Sequence, residues 1–198
     1  MKSYIYYKKT SIDECIREWL DSMDDFKEGY IYEQKISRTQ KWYHMDLKPF
    51  STTWKKEYDR WKPFPYCKHL EMYQRFVQKE TNTICDILGI KSPVFNSCLI
   101  NKYEDGDKLI KPHSDHQTTF GERPVVAILS IGDTRRLHFR PISYLQTKQN
   151  THKDFYYDLE NKSLLVMAGD TQKEYCHSID KEPCKRLRYS LTFREHNI

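Results

Sequence analysis

The second half of this chain leaves little choice of architecture. Between Ser97 and Arg194 the sequence breaks into short runs rich in leucine, β-branched and aromatic residues: SCLINKY, PVVAILSIG, RLHFR, FYYDL, SLLVMAG, YCHSI and RLRYSLTFR. Polar turns such as EDGD, GDTR and ENKS separate them, with little helical patterning in between. Many short strands packed into roughly 100 residues predict a β-sandwich or jelly roll.

The first third reads differently. Ser11 and Glu14 have capping-box spacing, and Ile12, Cys15, Ile16, Trp19, Leu20 and Met23 follow at helical intervals, predicting a helix over residues 11–23. A second helix is predicted from about Pro65 to Leu88. Leu70, Tyr73, Phe76, Val77, Ile84 and Leu88 form its apolar stripe, and Gly89 sits just past its end. Residues 28–66 are irregular, aromatic and basic. Helices first and strands after make an α+β protein. The 198 residues suit one domain, with 1–94 expected to carry the helices and an aromatic lid and 95–198 the jelly-roll core.

Charged residues make up 31% of the chain and no apolar run approaches the ~20 residues a membrane span needs, so no membrane association is expected. The opening MKSYIYYKKTSIDE lacks the apolar core of a secretory signal. None of the six cysteines forms a C-x-x-C pair, which points to free thiols in a reducing intracellular compartment, nucleus or cytoplasm, and argues against a structural zinc ribbon. A monomer is expected. The net charge of +5 suits a polyanionic partner, or equally a solvated basic surface.

His113-Ser114-Asp115 is an H-x-D triplet. On an extended segment alternate side chains share a face, so His113 and Asp115 can converge on one ion while Ser114 turns away. His177, inside YCHSI, supplies a third ligand. Two histidines and one carboxylate leave open positions for a chelating cosubstrate and O2, the facial triad of non-haem Fe(II) oxygenases. The triplet alone is short enough to arise by chance, and a lone strand histidine is ordinarily a surface or core residue; the order of the three gives the pattern its weight. His116 competes as a ligand but faces away from Asp115 on a regular strand.

The last run alternates cleanly. Leu187, Tyr189, Leu191 and Phe193 form an apolar face, and Arg188, Ser190, Thr192 and Arg194 form the other. That polar face is either wet or lines a pocket. In a pocket, a guanidinium fork suits the carboxylates of a small diacid. The two arginines lie about 20 Å apart along an ideal strand, so one would grip the far carboxylate and the other would act near the metal.

Together these residues resemble the AlkB family of Fe(II)/2-oxoglutarate-dependent dioxygenases. The likeness is carried by Asn101-Lys102-Tyr103, Gly106, His113-Ser114-Asp115, the run Pro124–Gly132, Phe139-Arg140, Ser163–Met167, His177 and the stretch from Arg188 to Arg194, about half of the chain. It implies a double-stranded β-helix core with Fe(II) held by the catalytic triad His113, Asp115 and His177. It further implies 2-oxoglutarate held by Arg188 at its distal carboxylate, Arg194 near its metal-bound end, and Asn101, Tyr103 and Ser190 completing the pocket. The family usually has Asn where this chain has Ser190. The segment Ile36–Tyr43 resembles the base-recognition lid of the DNA-repair members. By that likeness Trp42, Tyr43 and Phe50 would stack on an extruded base. Arg38, Lys41, Lys55 and Lys56 would meet phosphates or remain solvated charges, and Trp54 and Trp61 would pack the lid onto the core. Gln117 stands where the repair members carry a carboxylate that reads the damaged base.

The implied activity is oxidative N-demethylation of a methylated base in DNA or RNA, as in alkylation repair, releasing formaldehyde, succinate and CO2. Two other readings stay open: a dioxygenase of the same fold acting on a protein side chain or lipid, and a non-catalytic nucleic-acid-binding module.

Overall fold

The computed structural model describes residues 2–31, 34–51 and 62–197. Trp54, Lys55, Lys56 and Trp61, the outer half of the expected lid, lie outside the described residues. In chain order the elements are β1 (Ser3–Lys9), α1 (Cys15–Asp21), β2 (Tyr30–Ile31), β3 (Gln34–Lys35), β4 (Thr39–His44), α2 (Lys68–Leu88), β5 (Ser97–Tyr103), β6 (Ile110–His113), α3 (Gln117–Phe120), β7 (Val126–Gly132), β8 (Arg135–Pro141), α4 (Tyr144–Thr147), β9 (Phe155–Leu159), β10 (Ser163–Gly169), α5 (Thr171–Glu174), β11 (Tyr175–Ile179) and β12 (Arg188–Arg194).

All seven strands read from alternation are present, and they form the expected jelly roll. A six-stranded antiparallel sheet has the order β1-β10-β7-β12-β5-β4, and a four-stranded sheet the order β6-β11-β8-β9. Val126, Ile128, Leu165 and Met167 of the larger sheet meet Leu137, Phe139, Leu159 and Ile179 of the smaller one in a common apolar layer. The other face of the larger sheet, with Ile100, Ala127, Leu129, Leu164, Val166, Leu191 and Phe193, is covered by Ile16 and Leu20 of α1 and Leu70, Val77 and Ile84 of α2. The helices thus seal one face of the larger sheet and leave the gap between the sheets for a site.

Three expectations need correction. The capping box at Ser11 and Glu14 does not form. Glu14 itself occupies the N-cap in a helical conformation without a side-chain cap, α1 starts at Cys15, and Asp13 Oδ1 accepts the Cys15 N–H instead. Helix α2 begins at Lys68 rather than Pro65, behind an extended Cys67, and ends as expected on Gly89 at φ +63°. The division at residue 94 also fails as a structural boundary. The N-terminal half supplies both edges of the larger sheet, β1 beside β10 and β4 beside β5.

A loop closes over one end of the sheets. Gly106 N–H donates to Lys185 O (3.1 Å) and Gly106 O accepts from Glu182 N–H (3.0 Å). A Cβ at Gly106 would lie 1.8 Å from Glu182 O, so only glycine allows this approach. All six cysteines are unpaired. Among the described residues no helix is long and apolar enough to cross a membrane.

Candidate metal and cosubstrate site

The alternation of β12 is resolved by its position. The strand is central in the larger sheet, so neither face is wet: Tyr189, Leu191 and Phe193 pack toward the helices, and Arg188, Ser190, Thr192 and Arg194 are all buried as well. Register puts Arg188 opposite Tyr103 and Ser190 opposite Asn101 on β5, with Ser190 opposite Ser130 of β7 on the other side. Every one of the five residues assigned to the cosubstrate pocket therefore lies on β5 or β12.

Arg188 is 1% exposed. Its Nη2 donates to Ser130 Oγ (2.9 Å) and its guanidinium lies 5.2 Å from the Tyr103 ring centre, but its Nε and Nη1 are buried with no partner. Burial pulls its pKa down to about 10. Two buried donors left open on a charged fork make a strong demand for an anion. Arg194 adds a third open donor, Nη1, and its guanidinium carbon lies 4.8 Å from the Phe120 ring centre.

The two histidines meet across a strand pair. β11 and β6 are antiparallel with His177 directly opposite His113, and their ring centres are 4.4 Å apart. His113 Nδ1–H donates to Lys111 O (2.9 Å), which leaves Nε2 with its lone pair free. Burial, reinforced by the facing His113, pushes His177 down to about 3, and burial also lowers His113 against the pull of Asp115. Both rings are neutral donors. Asp115 lies beyond the end of β6, where its backbone N–H donates to Gln172 Oε1 (2.9 Å). Burial would raise its pKa, but the Arg194 fork outweighs that and holds it low: Nε to Oδ2 is 3.0 Å and Nη2 to Oδ1 is 2.8 Å. With both oxygens so engaged, no three His, Cys, Asp or Glu side chains among the described residues form a ready-made metal cage. The donor types still suit Fe(II), two neutral imidazoles and one ionised carboxylate. His116 is exposed and hydrogen-bonded to Thr118, turned to other work.

The family model described as the 2OG-Fe(II) oxygenase superfamily matches residues 2–194, nearly the whole described chain. This chain belongs to that superfamily. Its description names the metal, Fe(II), and the cosubstrate, 2-oxoglutarate, that the paired histidines and open guanidinium donors suit. The oxygenase is 36% identical over 110 residues to the mouse alpha-ketoglutarate-dependent dioxygenase alkB homolog 3, a stretch covering 52% of this chain and 37% of the relative. It is 28% identical over 117 residues to the Arabidopsis thaliana DNA oxidative demethylase ALKBH2, covering 50% of this chain and 37% of that one. It thus spans well under half the length of these curated relatives. In fold it is similar to the solved OsALKBH1 structure, with a TM-score of 0.65 at 15% identity, covering 98% of this chain and 99% of that one.

On the substrate side the oxygenase departs from expectation. Trp42, Tyr43 and Phe50 are not an open stacking platform. Segment 39–44 is the edge strand β4; Trp42 is 0% exposed, its Nε1–H donates to Lys48 O (3.0 Å), and it packs edge-on to Phe50 beside Leu99 and Phe120. Tyr43 points the other way, into the helix-side core. The pull of the larger sheet's open edge outweighs the lid reading. Lys41 is ion-paired with Asp25 and stacked over Phe64, so it is not a free phosphate contact. Arg38 stays at the site: its Nε donates to Asn101 Oδ1 (2.8 Å) and its Nη1 to Leu109 O (3.2 Å). Gln117 is exposed at the first position of α3.

Residue-by-residue reading of the sequence missed Gln40, Ser130 and Gln172. Gln40 Nε2 donates to the same Asn101 oxygen as Arg38 (2.8 Å), so the two donors fix which way the Asn101 amide is turned. Ser130 and Gln40 lie inside stretches that carry the family likeness, but no local spacing singles out any of the three, because their roles come from register.

The edge of the site also holds a buried histidine pair. His44 and His196 have ring centres 4.9 Å apart; His44 Nδ1 accepts from Asp46 N–H and His196 Nε2–H donates to Phe50 O. Burial, with His196 and Lys48 adding to it and Asp46 opposing, pushes His44 down to about 4. The unfolded ring titrates near 6.5 and takes up a proton first, so this stability is full above that pH and falls as pH drops from 6.5 toward 4. Between pH 7 and 5 the expected loss from His44 is about 2 kcal/mol. Urea midpoints at the two pH values check this. His44→Asn, which keeps an acceptor for Asp46, should flatten the slope.

Proposed function

We propose that this oxygenase oxidatively removes N-methyl groups from bases of DNA or RNA, as a monomer in an intracellular reducing compartment. The observation that carries the cosubstrate half is Arg188, whose two buried, unpartnered donors lie on β12 opposite Tyr103 of the neighbouring strand β5, which also carries Asn101. The demethylase half is supported by the names of the relatives that match about half of this chain.

His113, Asp115 and His177 would hold Fe(II), with Asp115 giving up one oxygen of the Arg194 fork to do so. Bound there, Fe(II) and 2-oxoglutarate would supply the oxidation with O2, turning 2-oxoglutarate into succinate and CO2 and the N-methyl group into an N-hydroxymethyl group that leaves as formaldehyde and restores the N–H base. The chain's own contribution is placement. Arg188, its fork fixed by Ser130, would hold the far carboxylate, and Asn101, oriented by Arg38 and Gln40, would complete the cosubstrate pocket with Tyr103 and Ser190. Arg194 keeps Asp115 ionised.

The test is formaldehyde release from methylated single- and double-stranded DNA and RNA. Turnover that depends on the methylated oligonucleotide is expected; 2-oxoglutarate turnover indifferent to any nucleic acid would favour a protein or lipid substrate. Arg188→Ala should raise the KM for 2-oxoglutarate at least tenfold, since a hydrogen-bonded charge pair is worth about 1.5–3 kcal/mol. An unchanged KM would remove Arg188 from the cosubstrate site.

A further inference from the structure

We propose that Arg135 is a positioning residue of the cosubstrate pocket. From the smaller sheet it fixes the ring of Tyr103 beside Arg188, and so sets the length of 2-oxo diacid that the pocket accepts. The proposal rests on the cosubstrate reading above, with Arg188 holding the far carboxylate, and deepens it.

Alternation on β8 turns Arg135, Leu137 and Phe139 inward, and the last two join the apolar layer between the sheets. Arg135 thus enters the gap from the smaller sheet, while Arg188 belongs to β12 of the larger one. Both reach the same ring. The Arg135 guanidinium carbon lies 5.8 Å from the Tyr103 ring centre, and that of Arg188 lies 5.2 Å from it. All three side chains are buried, so this end of the gap is closed to water.

The two guanidiniums differ in what they have left to offer. Arg188 keeps two open donors. Each nitrogen of Arg135 is already engaged: Nε with Glu182, Nη1 with Asp105 O, and Nη2 with the carbonyls of Gly106, Lys108 and Asp180. Arg135 is therefore a brace and not a carboxylate ligand. Three of those carbonyls belong to the loop directly after Tyr103, the last residue of β5. The β5–β12 ladder holds the chain before Tyr103, and Arg135 holds it after.

Its charge counts as well. Burial lowers the Arg188 pKa, Tyr103 opposes that, and Arg135 adds to it, so the two guanidiniums feel each other. An anion taken up by Arg188 would be drawn by the second charge too, across a low-dielectric gap.

Ser130 pins the Arg188 fork and Arg135 pins Tyr103. A diacid one methylene longer than 2-oxoglutarate would have to displace one of them. One methylene in a fitted pocket discriminates by about 10–200-fold.

The experiment is anaerobic equilibrium dialysis of 2-oxoglutarate, and of its six-carbon homologue 2-oxoadipate, with Mn(II) in place of Fe(II). Binding is then read without turnover, and Mn(II) affinity is measured alongside. Wild type should bind 2-oxoglutarate at least ~10-fold more tightly than 2-oxoadipate. Arg135→Lys should weaken 2-oxoglutarate about tenfold and bring the two diacids toward parity, with Mn(II) affinity kept. Tyr103→Leu, which removes none of the groups that Arg135 bonds to, should make the same two changes. The double variant should add little to either single one, because both act on one ring. Where Arg135→Lys does not fold, Tyr103→Leu decides alone.

Equal affinity of wild type for the two diacids overturns the proposal. So does an unmoved ratio in the folded variants, or a loss of 2-oxoglutarate affinity matched by an equal loss of Mn(II) affinity, which would make Arg135 a scaffold residue only. Fully additive losses in the double variant overturn the route through Tyr103. In all these cases weaker 2-oxoglutarate binding by Arg188→Ala leaves the cosubstrate reading in place. Unchanged binding by Arg188→Ala overturns that reading, and this proposal with it.

Discussion

His177→Ala is expected to lower Fe(II)-dependent succinate formation by more than ~100-fold. Loss of residues that merely orient a metal ligand costs roughly 10–100-fold, and a ligand itself costs more. The ring is buried, favoured in its neutral form by that burial, and set opposite His113 by strand register. Without it, one imidazole and a carboxylate already shared with Arg194 remain, and the arginine fork competes for that carboxylate. Backbone pairing of β11 with β6 and β8 does not need the imidazole, so the variant should stay folded. Anaerobic Fe(II) titration and succinate assay check the claim. His152→Ala, an exposed loop histidine, serves as control and should match wild type. Undiminished Fe(II) affinity in His177→Ala would remove His177 from the metal site.

Arg135→Ala is expected to be the most destabilising single change in the fold, at about 3–5 kcal/mol, the cost of breaking a buried charge from its partners. Arg135 is 0% exposed. Its guanidinium donates to the carbonyls of Asp105 (3.1 Å), Gly106 (3.5 Å), Lys108 (2.9 Å) and Asp180 (2.6 Å), and its Nε pairs with Glu182 Oε1 (3.3 Å). Removing it takes a donor from four carbonyls, of which Gly106 O keeps Glu182 N–H and Asp105 O keeps Lys108 N–H, and loosens the loop that Gly106 docks against Glu182 and Lys185. Arg135→Lys should recover little, since a single ammonium cannot span the fork's directions. Urea denaturation measures both; a loss under about 1 kcal/mol for Arg135→Ala would show that water replaces the fork.

Much of this architecture was legible before any coordinates. The strands of the second half announced themselves because apolar residues alternate and charged turns interrupt them, and β12 gave away Arg188 and Arg194 in the same way. The strands that escaped notice lack that contrast. β1, SYIYYKK, puts tyrosines on both faces and is half-buried on both. β6, IKPH, is four residues long and contains a proline. β4, TQKWYH, reads as an aromatic lid until its pairing with β5 turns Trp42 inward. Arg135 escaped because its neighbours Arg136, His138 and Arg140 made RLHFR look like an ordinary half-wet strand; the buried guanidinium one residue earlier is known only from its carbonyl ring. Gln40, Ser130 and Gln172 are single polar residues whose partners lie 61, 58 and 57 positions away, too far for any local pattern to join them.

The place of β12 has a consequence for how the protein is made. The strand is flanked by β7 on one side and β5 on the other, so the larger sheet is two separate pieces until residues 188–194 arrive. Strands made earlier can pair as β1-β10-β7 and β5-β4, but each piece then ends in an unpaired edge that only β12 can close. Folding during synthesis cannot be completed by growth from the N-terminus. It must wait for a late, long-range insertion, the kind of step that slows folding and leaves strand edges open to the wrong partner. The same insertion delivers both arginines, so the anion-binding half of the site and the continuity of the sheet come into being in one event.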